Sequence, residues 1–309
     1  MKAFLKLIRF QNLAMIALMQ IIFRYGFLEL KSTPLALNDW QYALLILATI
    51  AIAGGGYLIN NIFDQETDEI NKPQDVVVGK TISETTAYNI YVALNIIGVG
   101  IGFYLSNFIG KPGFSAILIL TSGTLYLYAS SLKQTLLIGN IIVAIITSLS
   151  IIIIGIFDLF PIITPENSAL MAVTFEVLLD YALFCFIINF IRELVKDLED
   201  VDGDYNLGMR TLPIILGVSR TVKVLLILSL IPIIYITYYI NEYYISNDLF
   251  ITAGYCLFLI IAPLLYFSIK LWSAKKQKDF NHLSMVLKLV LLFGIISVLV
   301  LSLNIAYNA

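Results

Sequence analysis

Apolar runs long enough to cross a membrane recur along the whole chain, and they limit the folds that it can adopt. Each is close to the ~20 residues that a helix needs to span a ~30 Å hydrocarbon core. We expect about nine spans in the 309 residues, at about 11–30, 41–62, 84–105, 113–132, 138–160, 173–194, 215–237, 249–269 and 286–306. Only 13% of the residues are charged, against about 25% in soluble domains. The sequence therefore predicts an all-α, multi-pass protein of the lipid bilayer, one domain over residues 1–309 with its helices bundled around a central cavity.

Lysine and arginine residues indicate how this bundle is oriented, because they accumulate in short cytoplasmic loops. With the N-terminus on the cytoplasmic side, only Arg24, Lys31 and Lys111 of the 19 basic residues fall elsewhere. We therefore predict a cytoplasmic N-terminus. The loops after the second and sixth spans then lie on the cytoplasmic face as well.

Three consecutive glycines, Gly54, Gly55 and Gly56, lie inside the second span. They lack the Lys-Ser/Thr ending of a phosphate-binding loop. Small residues let two membrane helices approach closely, so we expect this run at a helix–helix contact.

Carboxylates gather at the end of the second span. Asn60, Asp64 and Asp68 are each four residues apart. On a continuous helix, successive members are offset by only ~40°, so all three share one face. Pro73 indicates where the helix has ended.

A second group of carboxylates follows the sixth span. Asp197, Asp200 and Asp204 fall at positions i, i+3 and i+7, which lie within an arc of roughly 60° on a helix. Gly203 is a candidate end of that helix, ahead of Asp204.

Either cluster by itself is equally well explained as a solvated loop, but the pair favours a binding site. Like charges one turn apart repel, so a bound cation would stabilise each face. Mg²⁺ prefers oxygen ligands and commonly binds through a few carboxylates and substrate phosphates. Neither cluster contains histidine or cysteine, which argues against zinc. The sequence thus predicts Mg²⁺ and a diphosphate.

Basic side chains close to the clusters suit the same ligand, since they donate hydrogen bonds to phosphate oxygens. Lys72 and Arg192 adjoin the two clusters, and Tyr128 and Lys133 surround the loop after the fourth span. The alternative is that these residues only anchor cytoplasmic loops.

These motifs, in this order and spacing, resemble those of the UbiA superfamily of intramembrane prenyltransferases. The residues that match the first motif are Asn60, Asp64, Asp68, Asn71, Lys72 and Pro73. The residues that match the second are Arg192, Glu193, Lys196, Asp197, Asp200, Asp204, Gly208, Thr211, Leu212 and Pro213. Tyr128 and Lys133 resemble the tyrosine and lysine of the intervening loop. One departure is Asn61, where many members have aspartate.

From the clusters and this resemblance we expect Mg²⁺-dependent transfer of a polyprenyl group from a prenyl diphosphate to a lipophilic acceptor, with no nucleic acid partner. The expected catalytic residues are Asp64, Asp68, Asp197, Asp200 and Lys133. The expected substrate-binding residues are Asn60, Tyr128, Lys72 and Arg192. The expected metal ligands are Asn60, Asp64, Asp68, Asp197, Asp200 and Asp204.

The residues themselves do not identify the acceptor of the prenyl group. The resemblance is strongest to the branch that prenylates geranylgeranylglyceryl phosphate, and the alternative is an aromatic acceptor of quinone or haem pathways. The expected location is a prokaryotic plasma membrane, with the active site facing the cytoplasm.

A transporter is the alternative from another functional class, but charged residues in the middle of the spans are scarce, with Arg24 and Asp180 the main candidates. An enzyme transferring phospho-alcohol head groups is disfavoured because the Asp-Gly-x-x-Ala-Arg core of that family is missing.

Overall fold

The computed structural model describes residues 2–71, 73–74 and 76–308, and helices dominate them. The helices are α1 (Lys2–Leu7), α2 (Phe10–Phe23), α3 (Asp39–Phe63), α4 (Gln65–Asn71), α5 (Glu84–Phe108), α6 (Ser115–Ser130), α7 (Ile138–Ile154), α8 (Ser168–Glu199), α9 (Val201–Asn206), α10 (Leu212–Leu216), α11 (Val218–Tyr239), α12 (Phe250–Cys256), α13 (Ala262–Ser273) and α14 (Gln277–Asn308). Within these described residues no strand forms, and one isolated bridge joins Val78 and Ile82.

Among the described residues, eight helices are long and apolar enough to cross a membrane. Several of them include short π or 3₁₀ turns. They are Asp39–Phe63, Glu84–Phe108, Pro112–Ser130, Ile138–Ile162, Ser168–Glu199, Val218–Asn247, Phe250–Ser273 and Gln277–Asn308. Each overlaps one of the expected spans from the second to the ninth, so the prediction of an all-α multi-pass membrane protein is confirmed.

The first expected span, residues 11–30, is helical without being one of these eight. It consists of α2 and a π-helical turn, Arg24–Leu28. The count of nine spans and the cytoplasmic N-terminus therefore stay predictions.

Large apolar side chains on these helices point away from the protein. Leu120, Phe258 and Trp272 are 68%, 76% and 76% exposed. A soluble protein rarely leaves wide apolar patches uncovered, whereas lipid tails cover them in a bilayer. The surface thus supports the membrane assignment independently of helix length.

Polar residues cap the N-terminal ends of the first two of these spans. Asn38 precedes α3 and accepts a hydrogen bond from the Gln41 backbone N–H, while the Gln41 side chain accepts one from the Asn38 N–H. Ser83 precedes α5 and accepts a bond from the Thr86 N–H. These caps satisfy N–H groups that have no partner within the helix, and they define where each span begins.

The contacts within the chain form two compact units. The first comprises Met1–Gln20, Pro34–Ile142 and Leu149–Leu179, and the second comprises Ile21–Thr33, Val143–Ser148 and Asp180–Ala309. The chain crosses between the units several times. The prediction of one domain is untested by this division.

Glycines let α3, α5 and α6 approach one another in the first unit. A Cβ added at Gly56 would lie 2.8 Å from Leu125 Cδ1 on α6, and one at Gly55 would lie 2.8 Å from Asn95 Nδ2 on α5. From the other side, a Cβ at Gly98 on α5 would meet Ile52 Cγ1 of α3 at 2.5 Å and the Ala48 carbonyl oxygen at 3.1 Å. The expectation of a helix–helix contact at Gly54–Gly56 is confirmed.

Replacing Gly98 with alanine is expected to destabilise the protein by about 1–3 kcal/mol, because overpacking of this size forces the two helices apart. The matched control is Gly100→Ala on the same helix, since a Cβ there meets nothing within 4 Å. That change is expected to stabilise the helix by up to about 1 kcal/mol. Unfolding in a denaturing detergent series measures both. Equal effects of the two variants would contradict the close α3–α5 contact.

Candidate active site

The first carboxylate cluster lies at a break between two helices. α3 ends at Phe63, and the Asp64 backbone turns to φ −91° and ψ 5° before α4 begins. This bridge region is sparsely populated and is one where active-site residues are often found. The Asp64 N–H nevertheless donates to the Asn60 carbonyl at 2.9 Å, and the Asp68 N–H to the Asp64 carbonyl at 2.8 Å. The four-residue bonding pattern therefore crosses the break and keeps the three residues in register, although the predicted continuous helix is interrupted.

Asp64 is held at both of its carboxylate oxygens. Asn60 Nδ2 donates to Oδ2 at 2.5 Å, and the Lys133 ammonium forms an ion pair with Oδ1. The Asp64 and Lys133 side chains are only 17% and 10% exposed, so water screens this pair weakly. A cation already sits beside the carboxylate that the sequence assigns to a metal.

The amide oxygen of Asn60 has a different environment. It is buried, and no hydrogen-bond partner for it exists in the part of the chain that the structure describes. A buried polar atom without a partner is costly. An oxygen donor in this position, one turn from Asp64, fits the ligand chemistry of Mg²⁺.

A tight loop after α6 brings Lys133 to Asp64. The loop contains the 3₁₀ turn Leu132–Gln134 and packs closely on Gly139. A Cβ at Gly139 would lie 2.9 Å from the Lys133 Cα and 3.3 Å from the Tyr128 ring. Glycine is therefore needed where the loop folds back, and Tyr128 and Lys133 both lie against it.

The side chain of Asn61, the residue that departs from the family pattern, forms hydrogen bonds to backbone carbonyls. Its side-chain N–H₂ donates to the Tyr57 carbonyl at 2.7 Å and to the Leu7 carbonyl at 3.3 Å. An aspartate at this position has no hydrogen to donate to either oxygen. Asparagine here stabilises the end of α1 against α3, a role that the sequence did not reveal.

Lys72, the remaining basic residue expected near this cluster, lies outside the described residues. The helix that precedes it, α4, ends at Asn71, as expected from Pro73. Beside it, Lys80 pairs with Glu69 at 3.5 Å, and both side chains are about half exposed.

The second cluster, in the second unit, repeats the construction of the first. α8 ends at Glu199, and the Asp200 backbone turns to φ −100° and ψ 9° before α9 begins. The Asp200 N–H donates to the Lys196 carbonyl at 2.9 Å, and the Asp204 N–H to the Asp200 carbonyl at 3.1 Å. Each cluster thus has an aspartate at a helix break and a second aspartate one turn later.

The expectation that Gly203 ends this helix ahead of Asp204 is wrong. Gly203 lies inside α9, and its carbonyl accepts the Leu207 N–H at 3.1 Å. The chain leaves the helix at Gly208, whose φ of +67° is open to glycine without strain. Asp204 is consequently helical, and it is only 6% exposed.

Charged side chains one turn before Asp197 form a small network that the sequence only partly indicated. Glu193 Oε1 lies 2.5 Å from Lys196 Nζ and 3.7 Å from Arg192 Nη1. Glu193 was not expected as a site residue, although its place between two basic residues was a usable signal. Arg192 Nε is buried without a hydrogen-bond partner among the described residues. The guanidinium therefore retains a donor for an anionic ligand.

Glu199 belongs to another contact. It is 6% exposed, and its Oε1 accepts a hydrogen bond from Asn281 Nδ2 of α14 at 3.0 Å. This bond ties the end of α8 to α14 and explains why an acidic residue between Asp197 and Asp200 need not be a metal ligand.

Across residues 2–71, 73–74 and 76–308, no three His, Cys, Asp or Glu side chains converge on a single metal-sized position. The ligand sets expected from the sequence are untested by this observation and stay predictions. An incomplete protein shell suits Mg²⁺, which usually keeps waters and takes substrate phosphate oxygens.

The family model for the UbiA prenyltransferase family matches residues 30–292 of this chain. The chain belongs to the UbiA prenyltransferase family. It is therefore an intramembrane prenyltransferase, and membership favours the enzyme over the transporter alternative.

Curated relatives narrow the comparison to archaeal members of the family. The digeranylgeranylglyceryl phosphate synthase of Saccharolobus solfataricus is 32% identical over 75% of this chain and 76% of its own length. The protein of the same name from Methanococcoides burtonii is 28% identical over 97% of this chain and 99% of its own.

Solved structures share the fold over nearly the whole chain. A digeranylgeranylglyceryl phosphate synthase structure matches with a TM-score of 0.61 and 24% identity, over 96% of this chain and 98% of that one. A UbiA homolog from Archaeoglobus fulgidus bound to GPP and Mg²⁺ matches with a TM-score of 0.57 and 15% identity, over 96% and 99% of the two chains.

Proposed function

We propose that this chain transfers a geranylgeranyl group from its diphosphate to the hydroxyl of geranylgeranylglyceryl phosphate, in a reaction that requires Mg²⁺. The observation that carries the proposal is the Asp64 carboxylate held between the Asn60 amide and the Lys133 ammonium, beside a buried amide oxygen that has no partner among the described residues. The names of the archaeal relatives support this acceptor over an aromatic one.

We further propose one domain with nine spans and a cytoplasmic N-terminus, in a prokaryotic plasma membrane with the active site facing the cytoplasm. The distribution of lysine and arginine supports this orientation. The archaeal origin of the relatives supports the location.

The two clusters have the donors that two Mg²⁺ ions require. In the proposal, Asn60, Asp64 and Asp68 hold one ion, and Asp197, Asp200 and Asp204 hold the other. All six residues offer oxygen, the donor that Mg²⁺ prefers. When bound, Mg²⁺ supplies positive charge against the diphosphate leaving group.

Lys133 and Arg192 act on the diphosphate in this proposal. A metal ion held by Asp64 would compete with Lys133 for this carboxylate, so the ammonium would then need another acceptor. Diphosphate oxygens are that acceptor, with Tyr128 next to the loop that carries Lys133. Arg192 contributes the buried Nε–H that lacks a partner in the described structure. Both cations then stabilise the negative charge that grows as the allylic C–O bond breaks.

The bond changes follow from this placement. The allylic C–O bond breaks and the diphosphate leaves with the electron pair, while the prenyl carbon becomes cationic. The acceptor hydroxyl oxygen then forms the new C–O bond and loses its proton. Apolar helix surfaces exclude water, which would otherwise capture the cation.

Replacing Lys133 with methionine is expected to lower kcat for prenyl transfer by about 10²–10³-fold, the usual loss for one donor to a developing charge. The same change is expected to lower the Mg²⁺ concentration that gives half-maximal rate, because the ammonium no longer competes for Asp64. A Mg²⁺ titration of the initial rate measures both effects.

The control is Lys80→Met, which removes the same charge from a half-exposed side chain. It is expected to leave both quantities within about twofold, since exposed pairs contribute little. A Lys133→Met variant with unchanged kcat would contradict the role given to Lys133.

Acceptor choice is tested with purified protein, geranylgeranyl diphosphate and Mg²⁺. Geranylgeranylglyceryl phosphate and 4-hydroxybenzoate are supplied together, and products are separated by mass spectrometry. We expect the doubly prenylated glyceryl phosphate, and no product when EDTA is present. Prenylated 4-hydroxybenzoate as the main product would overturn the acceptor, and product formation in EDTA would overturn the requirement for Mg²⁺.

A further inference from the structure

A cleft in the second unit lies far from both carboxylate clusters along the chain. It is formed by α8, α11 and the turn after it, α12 and the turn after it, and α14. Asp180 lies in its wall, 17 residues before Asp197 on the same helix. At 1.5 Å per residue, these two aspartates are roughly 26 Å apart along α8. The cleft is therefore near the opposite end of the span from the second cluster.

Asp180 is unusual because it is a carboxylate within a membrane span. The Tyr235 hydroxyl donates to Oδ1 at 3.1 Å, and the Tyr239 hydroxyl donates to Oδ2. In the part of the chain that the structure describes, no lysine, arginine or histidine lines the cleft. Charged groups in a span are costly and generally pair with something. Two phenols leave further lone pairs on the carboxylate unused.

Aromatic rings surround this carboxylate. The Tyr239 ring centroid lies 4.5 Å from that of Tyr243 and 5.7 Å from that of Tyr244. Tyr181 also lines the cleft, and its hydroxyl lies 3.1 Å from Ser297 Oγ. Ring faces carry partial negative charge and attract cations, most strongly where water is excluded.

We propose that this cleft binds an organic cation, a primary ammonium group on an apolar chain. The ammonium donates to Asp180 and lies against the tyrosine rings, while the chain contacts the aliphatic and aromatic wall that includes Phe184 and Ile260. A metal ion fits less well, because hard cations need six or more oxygens and most of this lining is carbon.

The site is tested with the full-length protein in phosphatidylcholine nanodiscs. Thermal unfolding is followed with n-decylammonium and, separately, with n-decanol, which has the same chain and no charge. We expect decylammonium to raise Tm of the wild type by several degrees more than decanol does, because a ligand of the folded state stabilises it. In the Asp180→Asn variant, decylammonium and decanol are expected to change Tm by the same amount.

The control variant is Asp248→Asn. It removes one negative charge from an exposed turn outside the cleft, where the backbone φ of +57° is also accessible to asparagine. It should respond to the probes as the wild type does. Equal effects of the two probes on the wild type would overturn the proposal, even if Asp180→Asn fails to fold. A difference that persists in Asp180→Asn, or a Tm rise of the same size with NaCl, would overturn it too.

Discussion

Replacing Asp64 with asparagine is expected to lower kcat/KM for prenyl transfer by about 10²–10³-fold, the loss typical of removing one group that stabilises transition-state charge. The change removes the charge that holds Lys133. It keeps the size of the side chain, and asparagine tolerates the bridge conformation at φ −91°. We therefore expect the variant to fold but to lose most of its activity. Initial rates over a range of geranylgeranyl diphosphate concentrations measure the loss.

The matched control is Glu69→Gln on α4, which removes the same charge five residues away. Glu69 is exposed and pairs with Lys80 at 3.5 Å, a contact that contributes little to stability. The kcat/KM of Glu69→Gln should stay within about twofold of the wild-type value. If Glu69→Gln loses as much activity as Asp64→Asn, the effect comes from general charge, and the role of Asp64 is wrong.

The second large effect is expected from a pair of variants in the other cluster. Asp200→Asn is expected to reduce kcat/KM by about 10²–10³-fold, again as the loss of one charge-stabilising group. Asp202→Asn, two residues later, is expected to change it by less than about twofold. Both variants remove one negative charge from the same segment. They differ because Asp200 is half-buried at the helix break, whereas Asp202 is exposed.

Circular dichroism and the elution volume in detergent verify that both variants fold. Equal activity of Asp200→Asn and the wild type would exclude the second cluster from the reaction. A large loss in Asp202→Asn would show that the ligand set has been assigned to the wrong face of α9.

The sequence predicted the membrane helices well because span length is set by the thickness of the bilayer. The first expected span, residues 11–30, contains a polar side chain that is paired inside the protein. Gln20 Nε2 donates to Thr49 Oγ1 at 3.2 Å and to the Ser150 carbonyl at 3.1 Å. Hydropathy counts such a residue as unfavourable, although its contacts offset the cost of burial.

The alignment of neighbouring residues along one helix face was predictable, but contacts between distant residues were not. Four-residue spacing brought Asn60, Asp64 and Asp68 together, because neighbours along a helix face follow from helix geometry. The ion pair of Asp64 with Lys133 joins residues 69 positions apart, and no local pattern encodes it.

The helix breaks at Asp64 and Asp200 were also not predicted from the sequence. Gly203 was a reasonable candidate for a helix end, since glycine weakens helices. The helix ends instead at Asn206, two residues before Gly208, where the chain needs a positive φ. Composition does not reveal which of two glycines occupies that position, because the answer depends on packing.

We propose that both carboxylate clusters contribute to Mg²⁺-dependent binding of the prenyl diphosphate, and substrate affinity tests this most directly. The measurement is the Kd of a non-hydrolysable geranylgeranyl thiolodiphosphate with and without Mg²⁺, for the wild type, Asp64→Asn and Asp200→Asn. We predict that Mg²⁺ tightens binding to the wild type by at least about tenfold and that either substitution removes most of this gain. If Mg²⁺ lowers the Kd of either variant as much as it lowers that of the wild type, the joint role of the two clusters is contradicted.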